Sequence, residues 1–296
     1  MVIGVIFILR MILLKDILLE AKLYSYSTEE LLEKFLEFDG KTLIFLDTET
    51  TGIDPNKFYV QLTHVAAMAV EGSTWDVKDT LSIKVELNPV LLAILNSPSS
   101  NDAAAYEKEN QRHIAKYKKP ETHPRDLLDK TQYFKTSPGE QKMSEKDALI
   151  EVEEFIERYP SVVIVAHNAG FDMKVIQTRR RENGLPPMKR VPVLDTVAVA
   201  RFFFIPALVS LKDNPEAQAF LEKILAKTKY RSYGTDLGKL AKAFEITSDN
   251  WHDASADTQM MFEILKKIID FLKQHSDLDI IKYNGTQAKR FRRMRV

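Results

Sequence analysis

The chain is expected to fold as an α/β protein, a mixed sheet flanked by helices on both faces. Three observations predict this. Apolar and β-branched segments at 42–47, 58–70 and 79–87 read as an early meander of strands. Two later segments, VVIVA at 162–166 and VPVLD at 191–195, are short and almost wholly apolar, as in a sheet covered on both sides, and each runs into a helical pattern. The remainder is mostly helical, at about 214–228, 235–244 and 253–274. Strands first, then strands alternating with helices, is the order of a mixed sheet.

Size and composition fit one large core, or one core with insertions: 296 residues, of which 45% are hydrophobic. The 42 basic and 42 acidic residues cancel. Net charge therefore gives no support for a polyanion partner, and any such partner has to be argued from local patches. The absence of cysteine excludes disulfides and thiolate metal sites and is compatible with a reducing compartment. A cytoplasmic location is expected.

The first element is an apolar run of about nine residues ending at Arg10, well short of the ~20 residues that span a bilayer. It reads as a strand or helix packed on the body, or as an over-called start with Met11 as the true one; no membrane association is expected. Ser27 and Glu30 form a capping-box pattern ahead of Leu31, Leu32, Phe35 and Leu36, which share one helical face. Asp39-Gly40 then makes a turn before the first strand.

Residues 96–143 differ in kind. They are polar and charged and are punctuated by Pro98, Pro120, Pro124 and Pro138, so an inserted helical or loop segment outside the core is expected. Ser144 opens a helix with Ala148, Leu149, Val152, Phe155 and Ile156 inward. Past the second apolar strand, Arg179-Arg180-Arg181, with Lys189 and Arg190, reads either as a solvated face or as a track for phosphates. The C-terminal stretch carries Lys282, Lys289, Arg290, Arg292, Arg293 and Arg295 and no acid. Three parts result: an N-terminal segment and helix (1–41), a body (42–274) with its insertion at about 96–143, and a basic tail (275–296).

Three acid-bearing motifs lie at element ends. In the first, Asp47 and Glu49 close the apolar strand that begins at Thr42, and a period of two puts both carboxylates on one face. Two adjacent carboxylates are costly unless a cation sits between them, and Mg²⁺ or Mn²⁺ is the natural partner for oxygen ligands. Thr50, Thr51 and Gly52 follow, the glycine allowing close backbone approach. The second motif, His167-Asn168-Ala169-Gly170-Phe171-Asp172, leaves the VVIVA strand and opens a helix. Its Asp172 sits in the first turn at the sheet edge where ligands of α/β proteins gather, though a plain helix-dipole partner would occupy the same place. In the third motif Asp253 is a helix cap, Asp257 lies a turn further in, and His252 stands on the loop side.

The ordered set of three resembles the DEDDh exonucleases, also called DnaQ-like, which have a ribonuclease H-like fold. Asp47 and Glu49 match the family's first motif, Asp172 its second, and His252 with Asp257 its third; the sister class carries tyrosine where Asp253 stands. The resemblance covers roughly 42–274. It implies a 3′–5′ exonuclease in which Asp47, Glu49, Asp172 and Asp257 hold two divalent ions, Mg²⁺ or Mn²⁺, and His252 is the general base. It implies further that Thr50, Thr51, Gly52 and Ile53 lie against the terminal nucleotide. Asn168 and Phe171 are candidate substrate contacts, Phe171 having an equal claim to a place in the core.

The expected partner is a single-stranded 3′ end, with DNA in a proofreading- or repair-like role placed ahead of RNA. RNA trimming is the alternative, and a module that binds a polymerase or replication partner is the alternative of another class. One departure bears on that choice: many relatives carry a glutamate in the second strand, where this chain has Leu62-Thr63-His64-Val65.

Overall fold

The computed structural model describes residues 36–135, 141–226, 232–247 and 253–278, with Glu29, Leu32 and Glu33 ahead of them. The apolar N-terminal run, Ser27 and Glu30 of the capping box, His252 and the basic tail beyond Leu278 lie outside the described residues.

A six-stranded sheet organises the chain, in the order β4-β3-β2-β1-β5-β6. Strands β1 (Thr42–Thr50), β2 (Leu62–Glu71) and β3 (Val77–Val85) form the expected antiparallel meander. β5 (Val162–Ala166) joins β1 in parallel, and β6 (Val193–Asp195) joins β5 in parallel. This order, with its antiparallel meander and parallel later strands, is the expected mixed sheet.

Alternation along β1 divides the core. Ile44 and Leu46 pack in a cluster with α4 (Glu145–Glu157) and α5 (Gly170–Glu182). Leu43 and Phe45 face the other way, into a cluster built by the later helices. Those are α6 (Thr196–Val199), a π-helical turn at Ala200–Phe204, α7 (Ile205–Ser210), α8 (Pro215–Ile224), α9 (Leu237–Ala243) and α10 (Ala254–Gln274). Leu36 is buried in the second cluster and Leu32 packs against it. Strand β1 is thus the septum between two helical layers, which is why its core residues are apolar on both faces. Among the described residues no helix is long and apolar enough to cross a membrane.

Several boundaries differ from those expected. Strand β2 begins at Leu62, not at residue 58. The Thr51 hydroxyl donates to the Tyr59 carbonyl and accepts from the Gln61 N–H, so residues 52–60 close into a turn and cannot extend the strand. Strand β3 lies two residues earlier than read, and Asn88 after it caps α1 (Pro89–Asn96). The stretch expected as one helix at 214–228 stops at Ile224, and Leu225–Ala226 (β7) pairs with Ser232–Tyr233 (β8).

Residues 96–143 are helical for most of their length, with α2 (Asn101–Tyr117) and α3 (Pro124–Lys130). Two parts of the segment enter the body after all. Gln141–Met143 (β4) adds a parallel edge strand beside β3. Tyr106 joins Tyr59, Val60, Leu91 and Ile94 in a third, smaller apolar cluster. The segment reads as polar because most of its length faces water, while a few well-spaced aromatics hold it down.

The reading of the arginine triplet as a phosphate track is corrected for two of its three members. Arg179 forks onto Glu145, with Nε and Nη2 at 2.9 and 2.8 Å from the two carboxylate oxygens. Glu145 in turn accepts from the Leu62 N–H at the start of β2. Arg180 is 1% exposed and donates to the Pro186 and Leu149 carbonyls and to Glu153. Arg181 is the one of the three that stands fully in solvent. The burial of Arg180 generates a prediction. Arg180→Ala leaves two carbonyls and a carboxylate without their donor and should destabilise the fold by about 3 kcal/mol in urea unfolding. A change under about 0.5 kcal/mol, the size of an ordinary surface substitution, would contradict this account.

Candidate active site

Strand β1 runs past the end of its parallel partner. Its pairing with β5 stops at Phe45, which leaves the β1 edge open beyond that point. Residues Asp47 and Glu49 continue the face of Leu43 and Phe45, towards α10. Thr48 continues the opposite face, towards α5.

Asp172 fills the open edge. Its Oδ1 accepts from the Thr48 N–H at 3.0 Å and from the Thr48 hydroxyl at 2.7 Å, and the residue is 2% exposed. A backbone N–H that has lost its ladder partner is thereby satisfied, and the carboxylate is locked beside β1. The turn that delivers Asp172 needs a left-handed residue, and Asn168 takes it at φ 66°. Asparagine is among the few non-glycine residues that adopt this conformation readily. The Asn168 N–H donates to Asp195 Oδ1, and His167 Nδ1 lies 2.9 Å from the Thr196 hydroxyl, which ties the turn to the end of β6.

Asp257 arrives from the other helical layer. Asp253 caps α10 as expected, accepting from the Ser255 and Ala256 N–H groups at 3.1 and 3.2 Å. The helix start is pinned to the sheet by two further contacts that the sequence reading did not foresee. The Ser255 hydroxyl donates to the Ser82 hydroxyl at 2.8 Å, and His64 Nδ1 lies 3.7 Å from Asp253 Oδ2. His64 stands directly opposite Glu49 in the β1–β2 register. It lies in the Leu62–Val65 stretch, which carries no acid, and its ring faces the helix cap.

One carboxylate oxygen from each of Asp47, Glu49 and Asp257 lies within 4.8 Å of the others. The electrostatic cost shows in Glu49, Asp172 and Asp47. Burial pushes the Glu49 carboxyl from 4.5 up to about 8, with Asp257 and Asp172 adding to it and Lys130 opposing it. Burial likewise raises Asp172 to about 7, although the hydrogen bond from Thr48 works against the rise. Asp47 stands well above its ordinary range, first through burial and then through Asp172, Glu49 and Asp257. Close, buried, oxygen-only donors that repel one another fit a hard divalent cation. Asp172 is coupled to Asp47 by charge, although it is not in the tightest group.

The other residues expected at the site divide by placement. Thr50 donates its hydroxyl to the Gly52 carbonyl, and Thr51 is buried with its hydroxyl used on both sides by the turn. A side chain at Gly52 would meet Val60 Cγ2 at 2.6 Å, so the glycine allows the turn to pack closely. Ile53 is 84% exposed beside them. Phe171 is half-buried against the α4–α5 cluster. Thr48 and Lys130 were missed by sequence reasoning. Thr48 carried a signal, an inward polar residue between two outward acids; Lys130 lies too far along the chain to carry one.

No family model matches the chain, and no curated protein matches it. Solved structures of E. coli exonuclease I do. The complex with a dA16 oligonucleotide is 17% identical, covers 79% of this chain and 43% of that one, and superposes with a TM-score of 0.46. The zinc-bound complex with single-stranded DNA gives the same identity, coverage and score. The dT13 complex is 16% identical over 77% of this chain and 41% of that one, at a TM-score of 0.47. The chain therefore spans less than half the length of these proteins.

The raised carboxyls have a measurable consequence. Glu49 titrates near 4.5 when unfolded and near 8 when folded. Between those values the folded chain binds more protons than the unfolded one, so stability falls as pH rises. In EDTA, Tm should drop as pH is taken from about 5 to about 8, and millimolar Mg²⁺ or Mn²⁺ should raise Tm at the upper end and flatten the slope. A Tm at pH 8 that neither ion moves would contradict the cation-site reading.

Proposed function

We propose that the chain is a metal-dependent 3′–5′ exonuclease, releasing 5′-mononucleotides from a single-stranded nucleic-acid end. The observation that carries this reading is the meeting of Asp47, Glu49 and Asp257 within 4.8 Å, with Asp172 held next to them. They come from one strand and two helices on opposite faces of the sheet, and a structure bears the repulsion of such a set when a cation is to be held there. DNA is the substrate placed first, in a proofreading- or repair-like role, by resemblance to relatives whose first motif reads most like this one.

Asp47, Glu49, Asp172 and Asp257 would hold two Mg²⁺ or Mn²⁺ ions. Such a pair, when bound, lowers the pKa of water and neutralises charge that develops on the attacking and leaving oxygens. The chain's own residues do the remainder. Thr48 orients Asp172 and opposes the rise that burial imposes on its carboxyl. Asp253 and Ser255 fix the start of α10, so that Asp257 reaches the acids of β1. His252 directly precedes this cap. As general base it takes the proton of the attacking water; an imidazole whose pKa lies near neutrality suits that step.

The test is mononucleotide release from 3′-labelled and 5′-labelled single-stranded DNA and RNA in Mg²⁺, Mn²⁺ or EDTA. Release of 5′-monophosphates from the 3′ end should require the ion. Asp47→Ala should abolish it, and His252→Ala should lower kcat by about 10²–10⁴-fold. Faster turnover of RNA than of DNA would replace the DNA reading by RNA trimming. A folded wild-type chain that binds Mg²⁺ or Mn²⁺ and degrades no substrate would overturn the proposal.

A further inference from the structure

The insertion between β3 and β4 is anchored at two places to the surroundings of the acid cluster. Between α2 and α3 Glu121 is a hub. It accepts from Lys57 and from the Tyr59 hydroxyl and lies 3.0 Å from His113 Nδ1, while its own N–H donates to Asn110. Burial alone would raise the Glu121 carboxyl, but Lys57 and Tyr59 hold it below its ordinary value. Tyr59 stacks edge-on against Tyr106 with ring centres 4.9 Å apart, and Tyr106 does the same with His123 at 5.2 Å. The insertion is thus bound to the turn at 52–60, which follows directly on Glu49 and carries the exposed Ile53.

The second anchor rests on the sheet itself. Glu49, His64 and Lys84 stand opposite one another across β1, β2 and β3, so their side chains share the face that carries the acids. The Lys84 ammonium donates to the carbonyl of Lys135, and the Tyr133 hydroxyl donates to the carbonyl of Val85 at 2.8 Å. The turn that follows α3 therefore sits at the end of this row, two strand spacings or about 10 Å from Glu49. Lys130, the last residue of α3, is exposed and close enough for its ammonium to act on Glu49. Phe134 is 51% exposed, with the Arg125 guanidinium 5.1 Å from its ring centre. Lys142 covers the ring of the neighbouring Tyr133 at 5.1 Å. Asp126 and Asp129 share α3, so net charge is not what distinguishes this surface. What distinguishes it is a cation beside the acids followed by an exposed aromatic ring with a guanidinium over it. That pairing suits a strand of alternating phosphates and flat bases.

We infer that residues 124–135 of the insertion form a binding wall for single-stranded nucleic acid leading into the acid cluster, Lys130 taking a backbone phosphate and Phe134 with Arg125 stacking a base. The inference rests on the proposed function for its ligand class, but its test does not require hydrolysis. Lys130 and Phe134 are exposed, so their substitution leaves the core intact.

The experiment is fluorescence anisotropy of a fluorescein-labelled oligothymidylate with the full chain, in Ca²⁺ to limit cleavage, across a range of salt concentrations. Phe134→Ala should weaken binding about tenfold, the loss expected for one base–aromatic stack, and Phe134→Tyr should restore it. Lys130→Ala should weaken binding and also reduce the slope of log K against log salt by about 0.7, the contribution of one phosphate contact on a single strand. Variants that bind as the wild type does, with an unchanged salt slope, would overturn the inference, as would a wild-type chain that does not bind the oligonucleotide. Release of 3′-terminal label in Mg²⁺, followed alongside, separates the two readings. Binding that depends on Lys130 and Phe134 without any release would uphold the wall and sink the exonuclease.

Discussion

Mutual repulsion among Asp47, Glu49, Asp172 and Asp257 is the constraint around which the rest of the molecule is arranged. Asp47, Glu49 and Asp172 are each raised first by burial, and neighbouring carboxylates raise Asp47 and Glu49 further. A set of groups in that condition separates unless the backbone holds it together. The holding is done by β1, buried on both faces between two helical layers, whose alternation sends Asp47 and Glu49 to one side and Thr48 to the other. Because β5 stops short of the β1 end, the Thr48 N–H is free to receive Asp172. The strand thus collects one acid through each layer, Asp172 from α5 and Asp257 from α10.

Rigidity at this point comes from polar contacts more than from the apolar core. The α10 start rests on Ser82 and His64 through Ser255 and Asp253. The base of α5 is fixed by Asp195 and Thr196, which engage Asn168 and His167. Further back, Glu145 joins the Arg179 guanidinium to the first residue of β2. Such polar contacts fix the geometry of a site more tightly than dispersion alone. The insertion extends the same pattern outwards through Glu121 and Lys84, so the loop beside the acids is braced from two directions.

Much of this was legible in the sequence because it follows from period and capping. A period of two places Asp47 and Glu49 together, an apolar five-residue strand marks the sheet edge at which Asp172 lies, and Asp253 announces the start of α10. What was not legible depends on contacts between distant residues. Arg179 and Arg180 look like a charged surface until Glu145 and Glu153, 34 and 27 residues earlier, are seen to meet them. The turn at 52–60 has the composition of a strand at its end, and the double use of the Thr51 hydroxyl, with the backbone bonds from Lys57 to Asp54 and from Val60 to Lys57, stops the strand from starting sooner. The insertion reads as polar because its buried aromatics are too sparse to show a period. Its effect on Glu49 through Lys130 depends on folding back across three strands.

The central claim is that the fold gathers these carboxylates to hold a divalent cation. Anomalous X-ray scattering from crystals grown in Mn²⁺ tests it most directly. The account predicts a peak in contact with oxygens of Asp47, Glu49 and Asp257, at oxygen–metal distances of about 2.0–2.2 Å, lost when Asp257 is replaced by asparagine. Crystals that hold Mn²⁺ elsewhere, or that show no peak among these three side chains while the fold is intact, would contradict it.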